Sequence, residues 1–386
     1  MGDGRKIKIG IIGSRGIPNQ YGGFEQFAEY LSAGLVKKGC RVWVYSPDNH
    51  PYKKKTFQGV GLIHCFNPEN RTGPFGQLIY DLNCILDSRK RAFDIILQLG
   101  YTSSAVWNWL FDKNVMVVTN PDGMEWKRSK YNWLVRKFLK FSEKTVMSRS
   151  HCFVADSQVI KKYIQNSHKK DAWFIPYGAD PFLNPRKEML RRLGVTPHGY
   201  FLVIARLQPD NNTEMILQAV KEAGTAFPLV VVGRINNRFA KQLQKRYGPS
   251  GILFTGGIYD QEFLHNLRFF SLLYFHGHSA GGTNPSLLEA MAASSRICAH
   301  NNLFNKSVLG SDAFFFSDKN DIVRNLPRWI SSGSWTEKCE NNLKKVETLY
   351  SKQQIIDQYH ALFRQMMDNQ KNHYSDQPLS SFFRMH

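Results

Sequence analysis

Short apolar runs alternate with longer amphipathic segments along this chain, and that alternation limits the folds open to it. Ile7–Ile12 reads as a buried strand and is followed by a helical segment whose apolar residues, Phe24, Phe27, Leu31 and Leu35, share one face. Strands that alternate with helices indicate βαβ units and therefore parallel sheets. The pattern predicts an α/β protein built from doubly wound sheets.

The pattern breaks once, at Ile175–Pro181, and restarts with a new buried strand at Gly199–Ile204. A chain of 386 residues is long enough for two domains, each with its own core. A final helix is predicted at about Lys352–Met367, followed by a loose tail. The expected boundaries are 1–180 for a first Rossmann-like domain, 181–350 for a second, 351–370 for a helix that crosses back to the first domain, and 371–386 for the tail.

The charge of the chain is strongly positive, with a formal net charge of +20. Through Lys187 there are 29 Lys and Arg against 15 Asp and Glu, so most of the excess lies in the first half. A surface of this charge can attract nucleic acid, anionic lipid headgroups or phosphorylated substrates. The alternative is a basic surface that has no binding role and only keeps the protein soluble. The six scattered cysteines and the absence of a signal peptide or long apolar stretch lead us to expect a cytosolic protein with reduced thiols.

The stretch Gly281–Met291 carries the clearest functional signal. It follows the apolar run Leu272–Phe275, and it places a natural N-cap, Asn284, before a proline suited to the first helical position, Pro285. A helix that begins there directs backbone N–H groups and the positive end of its dipole at a ligand. Glu289 lies about one turn further on, so it could accept sugar hydroxyls beside a bound anion. The alternative is an ordinary strand–loop–helix with a surface glutamate.

Two further loops follow predicted strands, where open α/β sheets bind ligands. Gly13–Gly23 lacks the glycine pattern of dinucleotide binding and the Gly-Lys-Ser/Thr of a P-loop, which disfavours a nicotinamide cofactor or an NTPase. Gly22 and Gly23 still permit close approach to an anion, unless they serve only to turn the chain. Arg206 directly follows the predicted strand Phe201–Ala205. Its guanidinium can bind a diphosphate in bidentate fashion, and we favour this role over that of a solvated surface arginine.

A third loop, Thr119–Arg128, follows the strand Val115–Val118 and combines acids, bases and an aromatic residue. Asp122 and Glu125 could bind acceptor hydroxyls or take a proton, although Asp122 lies in a Pro-Asp-Gly sequence that is also an ordinary turn. His276 and His278 flank the Gly281–Met291 stretch at a spacing compatible with hydrogen bonds to a sugar. Because further ligands cannot be placed beside them, no metal site is predicted.

At these residues the chain resembles a GT-B glycosyltransferase of family 4, nearly from end to end. The matching segments are the Gly22–Gly23 pair, Ile175–Asp180, Ala205–Leu207, Leu288–Ala292 and the helix at 350–363. More narrowly, Gly13–Pro18, Tyr21–Glu25, Asp122–Arg128 and Gly281–Glu289 are similar to bacterial β1,4-rhamnosyltransferases of capsule and O-antigen synthesis. The resemblance implies two Rossmann-like domains facing a central cleft, with a C-terminal helix that crosses back to the first domain.

The resemblance also assigns roles to single residues. It implies that Arg206 binds the donor diphosphate and that Glu289 holds the ribose. The residues expected to take part in catalysis are Arg206, Asp122 and Glu289. Those expected to bind the donor are Gly22, Gly23, Arg206, His278, Gly282, Thr283, Asn284, Leu287 and Glu289. Those expected to bind the acceptor are Arg15, Asp122, Glu125 and Lys127.

Two positions depart from the family pattern. Gly281 stands where most members have a first glutamate that contacts the donor sugar, and Asn211 or Asn212 stands where a lysine is usual. Contacts to the donor are therefore altered, and a deoxy sugar with fewer hydroxyls is one explanation.

The implied activity is retaining transfer of a sugar, with dTDP-L-rhamnose as the expected donor and a lipid-linked saccharide as the acceptor. No metal or other cofactor is expected, and the protein is expected in the cytoplasm, peripheral at the inner face of a bacterial membrane, with contact through its basic N-terminal domain. The alternatives are a UDP- or GDP-sugar donor and a sugar-nucleotide 2-epimerase of the same fold. Binding to nucleic acid is suggested by charge alone and is not predicted, since no RRM, KH or helix-turn-helix pattern supports it.

Overall fold

The computed structural model describes residues 5–121, 123–127, 131–279 and 281–375. Within them the chain divides into two compact units. One comprises residues 5–119, 149–152 and 353–375, and the other comprises the described residues of 120–148 and 153–352.

The first sheet has eight strands in the order β3-β4-β2-β1-β5-β6-β7-β8. Their bounds are β1 (Lys8–Ile12), β2 (Arg41–Pro47), β3 (Thr56–Phe57), β4 (Val60–Cys65), β5 (Ile95–Leu99), β6 (Met116–Asn120), β7 (Cys152–Ala155) and β8 (Trp173–Phe174). β1 lies between β2 and β5 and is parallel to both, whereas the short β3 is antiparallel to β4. Every residue of β5 and β6 is buried, as expected for central strands of a parallel sheet.

The helices of this part of the chain are α1 (Gly23–Lys37), α2 (Glu69–Thr72), α3 (Pro74–Ser88), α4 (Trp133–Arg149) and α5 (Gln158–Tyr163). α1 directly follows the Gly13–Gly23 loop, as predicted, and buries Phe27, Leu31 and Leu35.

The second sheet has six strands in the order β11-β10-β9-β12-β13-β14, and its pairs are parallel. The strands are β9 (Phe201–Ile204), β10 (Leu229–Val232), β11 (Ile252–Gly256), β12 (Leu273–His276), β13 (Ile297–His300) and β14 (Phe314–Phe316). The helices are α6 (Thr213–Glu222), α7 (Arg238–Tyr247), α8 (Gln261–Phe269), α9 (Pro285–Ala292), α10 (Leu303–Leu309), α11 (Lys319–Ile330), α12 (Trp335–Leu349) and α13 (Lys352–Ser375).

The strand order of the second sheet reverses between β9 and β12. From β9 the chain moves outward to β10 and β11, and it then returns to β12 on the other side of β9. The loops after β9 and β12 lead away from each other at such a reversal, and doubly wound sheets bind ligands there, beyond the carboxyl ends of the strands. The predicted doubly wound architecture is confirmed, and Arg206 and the Gly281–Met291 stretch both follow the strands that border the reversal.

The C-terminal helix α13 packs against α1. The rings of Tyr359 and Phe27 have centroids 5.5 Å apart, and Lys38 forms an ion pair of 2.5 Å with Asp357. A Cβ atom at Gly34 would lie 2.4 Å from Cδ1 of Ile356, so α1 needs a glycine where α13 approaches it. The helix continues to Ser375, beyond its predicted end at about Met367, and residues 376–386 of the predicted tail lie outside the described part of the chain.

Replacing Gly34 by Ala tests this packing. The added methyl group meets Ile356, so we expect the free energy of unfolding to fall by about 1–3 kcal/mol, less the small gain in helix propensity. Adding Ile356→Val removes the crowding Cδ1 atom and should recover part of the loss, as measured by urea denaturation. Strictly additive effects of the two substitutions would contradict this packing.

Candidate functional site

The helix α9 begins as the sequence predicts. Asn284 is its N-cap, and the side-chain Oδ1 accepts a hydrogen bond of 2.9 Å from the backbone N–H of Ser286. Pro285 occupies the first helical position, where its missing N–H costs nothing. The start of α9 is therefore fixed by local sequence.

Two of the groups predicted to face an anion are already engaged. The backbone N–H of Leu287 donates to the carbonyl of Asn284 at 3.0 Å, and the Leu287 side chain is buried in the core. The hydroxyl of Thr283 donates to the backbone carbonyl of Asp156. A contact from the Leu287 N–H to a ligand would compete with this bond, and the role of Leu287 stays a prediction.

The loop before α9 requires its two glycines. Gly281 has a φ of +127°, a conformation that residues with a side chain rarely adopt. A Cβ atom on Gly282 would lie 1.9 Å from both carboxylate oxygens of Asp156, which follows β7. The backbone conformation at Gly281 therefore favours glycine, and Asp156 places a carboxylate beside the same loop.

Glu289 is held in a buried ion pair. Nη2 of Arg268, on α8, donates to Oε2 of Glu289, and the Arg268 side chain is only 1% exposed. The same Nη2 lies 3.3 Å from Oγ of Ser286, which lies 2.9 Å from the hydroxyl of Tyr274. Glu289, Ser286, Arg268 and Tyr274 therefore form one network that joins α8, α9 and β12.

The energetics of this network constrain the site. Removing one partner of a buried ion pair leaves a charge without compensation, at a cost of about 3–5 kcal/mol. Arg268 consequently fixes the carboxylate of Glu289 in one orientation. Glu289 is predicted to accept hydrogen bonds from the hydroxyls of a ligand. Because Oε2 already accepts from Arg268, such bonds would use the remaining acceptor positions of the carboxylate.

The two histidines after β12 have different environments. His276 is 1% exposed and stacks between Tyr274 and His278, with ring centroids 6.2 Å and 4.5 Å away. Burial lowers the pKa of His276 well below its ordinary value, and the neighbouring His278 and Arg268 lower it further, so the ring is neutral. His278 is partly exposed, and its backbone carbonyl accepts hydrogen bonds from Asn302 and Asn305. His278 is therefore the better placed of the two for a ligand.

Arg206 follows β9 and is exposed. Its backbone carbonyl accepts a hydrogen bond of 2.7 Å from the side chain of Asn211, and Asn212 donates at 2.9 Å to the carbonyl of Gly277. Asn212 has a φ of +50°, which asparagine tolerates better than lysine does. Both asparagines thus hold the loops that follow β9 and β12 in place.

The Gly13–Gly23 loop belongs to the other compact unit. Gly22 is the N-cap of α1 with an extended φ of −171°, and Gly23 is the first helical residue. The backbone N–H of Arg15 donates to Oε1 of Glu25 at 2.7 Å, and its guanidinium forms an ion pair of 2.6 Å with Glu69. Arg15 also lies 4.1 Å above the ring of Tyr21. Arg15 is therefore held in place rather than free to sample many positions.

The predicted acceptor segment is only partly described. Asp122 and Arg128 lie outside the described residues. Glu125 is buried, whereas Lys127 is exposed and lies 5.4 Å from the ring of Trp126. Of the two predicted acceptor residues that the structure describes in this segment, Lys127 has an exposed charge and Glu125 does not. In the parts of the chain that the structure describes, no three His, Cys, Asp or Glu side chains come together as a possible metal site.

Sequence reasoning missed three residues at this site. Arg268 lies in an amphipathic helix that has no distinctive sequence motif. Its ion pair with Glu289 depends on the packing of α8 against α9. Asp156 is distant in sequence from Gly282, which it adjoins. Arg234 follows β10, next to β9, and its guanidinium lies 4.9 Å from the ring of Tyr259. Of these three residues, only Arg234 could have been predicted from the sequence, because it is a basic residue just after an apolar run typical of a strand.

Comparisons of sequence give two similarities. Residues 6–180 match a family described as a domain of unknown function, DUF1972. Over 376 residues the chain is 21% identical to O-antigen chain mannosyltransferase C of Escherichia coli, covering 91% of this chain and 96% of that protein.

Comparisons of structure establish the fold. Sucrose-phosphate synthase from Thermosynechococcus elongatus superposes with a TM-score of 0.81 at 16% identity, covering 94% of this chain and all of that one. Anabaena HepE, solved with UDP and glucose, gives a TM-score of 0.74 at 14% identity, covering 93% of this chain and all of that one. The chain therefore has the GT-B fold, with two Rossmann-like parallel-sheet domains, as predicted.

The ion pair predicts a specific pattern of stabilities. Arg268→Met should lower the free energy of unfolding by about 3–5 kcal/mol because it removes the positive charge that faces the buried carboxylate of Glu289. Replacing both residues, as Arg268→Met with Glu289→Leu, should restore most of that loss. Urea denaturation measures both, and a double variant no more stable than Arg268→Met would contradict the coupling.

The close contact between Gly282 and Asp156 leads us to expect a steric effect of substitution at Gly282. Gly282→Ala drives a methyl group into the Asp156 carboxylate, so the loop must shift, at a cost of about 1–3 kcal/mol. The matched control is Gly248→Ala, because no atom lies within 4 Å of its Cβ position. Thermal denaturation should separate the two variants, and equal melting temperatures would show that the contact at Gly282 is absent.

Proposed function

We propose that this chain is a retaining glycosyltransferase that takes its sugar from a nucleotide-activated donor. The observation that carries the proposal is the convergence of three features at the strand reversal of the second sheet: Arg206 after β9, the capped start of α9 after β12, and the fixed carboxylate of Glu289. A cation, a helix N-terminus and a carboxylate match the diphosphate and hydroxyl groups of a nucleotide sugar.

In this proposal Arg206 and the start of α9 bind the donor diphosphate. The guanidinium donates in bidentate fashion, and the helix dipole adds positive potential on the side of Thr283 and Asn284. Gly22 and Gly23 remain predicted donor contacts, because a glycine backbone permits close approach to an anion. As the bond to the sugar breaks, negative charge grows on the leaving diphosphate, and these groups stabilise it without reorganising.

Glu289 accepts hydrogen bonds from the ribose hydroxyls, and Arg268 holds its carboxylate in position. His278 and the backbone around Gly282 lie beside the sugar. Retention of configuration follows from attack on the same face that the diphosphate leaves, with the departing phosphate oxygen taking the acceptor proton. No residue of this chain needs to form a covalent intermediate in such a reaction.

The acceptor is a lipid-linked saccharide in this proposal, and polysaccharide synthesis is the setting. The support is the similarity, at 21% identity, to a protein named as an O-antigen chain mannosyltransferase. Lys127, whose charge is exposed, contacts the acceptor in this proposal, and Arg15, Asp122 and Glu125 remain predicted acceptor contacts.

The donor sugar has two candidates. The resemblance of the Gly13–Pro18 and Gly281–Glu289 motifs favours dTDP-L-rhamnose, and the loss of the family glutamate at Gly281 suits a sugar with fewer hydroxyls. GDP-mannose is the second candidate, because the mannosyltransferase of Escherichia coli spans nearly the whole chain.

Product analysis tests the function itself. The purified protein is incubated with each candidate donor, with and without a synthetic lipid-linked saccharide, and the products are identified by NMR. We expect a new glycosidic bond with the anomeric configuration of the donor, formed only when the acceptor is present. A free epimerised sugar nucleotide formed without acceptor would instead identify a 2-epimerase.

Arg206→Ala tests the assigned phosphate contact. The loss of a charge that stabilises the leaving group should lower kcat for transfer by about 100-fold or more. The matched control is Arg246→Ala, since Arg246 is an exposed arginine on α7 that pairs with Glu214. Activity of Arg206→Ala within a factor of about two of that control would remove Arg206 from the mechanism.

A further inference from the structure

The solvent-facing side of α4 carries an unusual concentration of large apolar side chains. Trp133, Leu134, Phe138 and Phe141 are 70%, 58%, 39% and 60% exposed. Leu134, Phe138 and Phe141 follow one another at intervals of four and three residues, so they form a continuous stripe along the helix. Soluble proteins expose single apolar residues freely, but a contiguous stripe marks an interaction surface.

Basic residues accompany this stripe. Arg136, Lys137, Lys140 and Lys144 of α4 are all exposed, and Lys137 and Lys144 lie seven residues apart, beside the apolar stripe. Nζ of Lys140 lies 4.4 Å from the ring of Trp126, which extends the patch to the exposed Lys127. The α4 surface, meaning these eight helix residues, is therefore apolar and cationic at once.

The one acidic residue of α4 does not oppose this charge. Glu143 points into the protein, where its carboxylate accepts hydrogen bonds from the hydroxyl of Tyr163 at 2.5 Å and from Nε2 of His168 at 2.8 Å. The exposed face of the helix thus has only positive side chains among its ionisable groups.

The opposite side of α4 is anchored in the core. Leu139, Ser142, Val146 and Met147 are buried, so the helix cannot rotate to hide its aromatic stripe. Oδ1 of Asn132 accepts a hydrogen bond of 3.0 Å from the N–H of Val135 and fixes the first turn. The outward presentation of the stripe is consequently a property of the folded chain.

We propose that the α4 surface docks on a bilayer surface that contains anionic lipids. Helices that lie in the membrane interface insert Trp, Phe and Leu side chains among the acyl chains while Lys and Arg contact the headgroup phosphates. The α4 surface has both components, and the lysine side chains are long enough to reach headgroups while the aromatic rings insert. In the described residues no helix is long and apolar enough to cross a membrane.

A nucleic acid fits this surface less well. Phosphate contacts would use the lysines, but the aliphatic Leu134 and its neighbours in the stripe would gain nothing from a hydrated sugar–phosphate backbone. The proposal deepens the proposed function, because a lipid-linked acceptor is presented at such a membrane. The α4 surface itself stands on its own geometry and can bind lipid whatever the donor proves to be.

Sedimentation with vesicles tests the proposal on the full chain. The vesicles contain phosphatidylcholine with or without phosphatidylglycerol. We expect binding only when phosphatidylglycerol is present. Two variants, Leu134→Ser with Phe141→Ser and Lys137→Ala with Lys144→Ala, should each weaken that binding by about tenfold or more. All substituted positions are exposed, and unchanged melting temperatures will confirm that the variants fold.

The control is Lys241→Ala with Lys245→Ala on α7, which removes two exposed lysines from a helix without exposed large apolar residues. It should bind vesicles within a factor of about two of the unsubstituted protein. An equal loss in the control would show that overall charge, not α4, causes binding, and would overturn the proposal.

Two other results would also overturn the proposal. One is vesicle binding that neither α4 variant weakens. The other is self-association in analytical ultracentrifugation that Leu134→Ser with Phe141→Ser abolishes, without any vesicle binding, because that would make the α4 surface an interface between copies. Failure of the proposed enzymatic function would be distinct, since it would appear as absent transfer by protein that still binds vesicles.

Discussion

The buried ion pair between Arg268 and Glu289 is the interaction on which the arrangement of the candidate site depends. A cation from α8 and an anion from α9 are removed from water together, and Ser286 and Tyr274 complete the network. Such a pair adds little net stability compared with apolar residues, but it cannot be broken cheaply. It therefore keeps the carboxylate of Glu289 in one position on α9.

The loops around that pair follow from the topology of the sheet. Because the strand order reverses between β9 and β12, the loops after these strands must diverge, and they expose Arg206 and the start of α9. Hydrogen bonds then hold them in place, from the side chain of Asn211 to the carbonyl of Arg206 and from that of Asn212 to the carbonyl of Gly277. Preorganisation of this kind lets a site stabilise developing charge without the cost of rearrangement.

Local sequence rules predicted the elements that local chemistry decides. The N-cap at Asn284, the proline at the first position of α9 and the buried parallel strands could be identified because each depends on near neighbours in sequence. The ion pair to Arg268 and the contact of Asp156 with Gly282 depend on residues far apart in the chain, so no spacing could indicate them.

The central claim is that a nucleoside diphosphate binds at the carboxyl ends of β9 and β12. The most direct test is the melting temperature of the unsubstituted protein with dTDP, UDP or GDP, each in large excess. A ligand that binds only the folded state stabilises it by about 2.7 kcal/mol at 100 times its Kd, so the account predicts a rise of several degrees with one of these nucleotides. No rise with any of the three would contradict it.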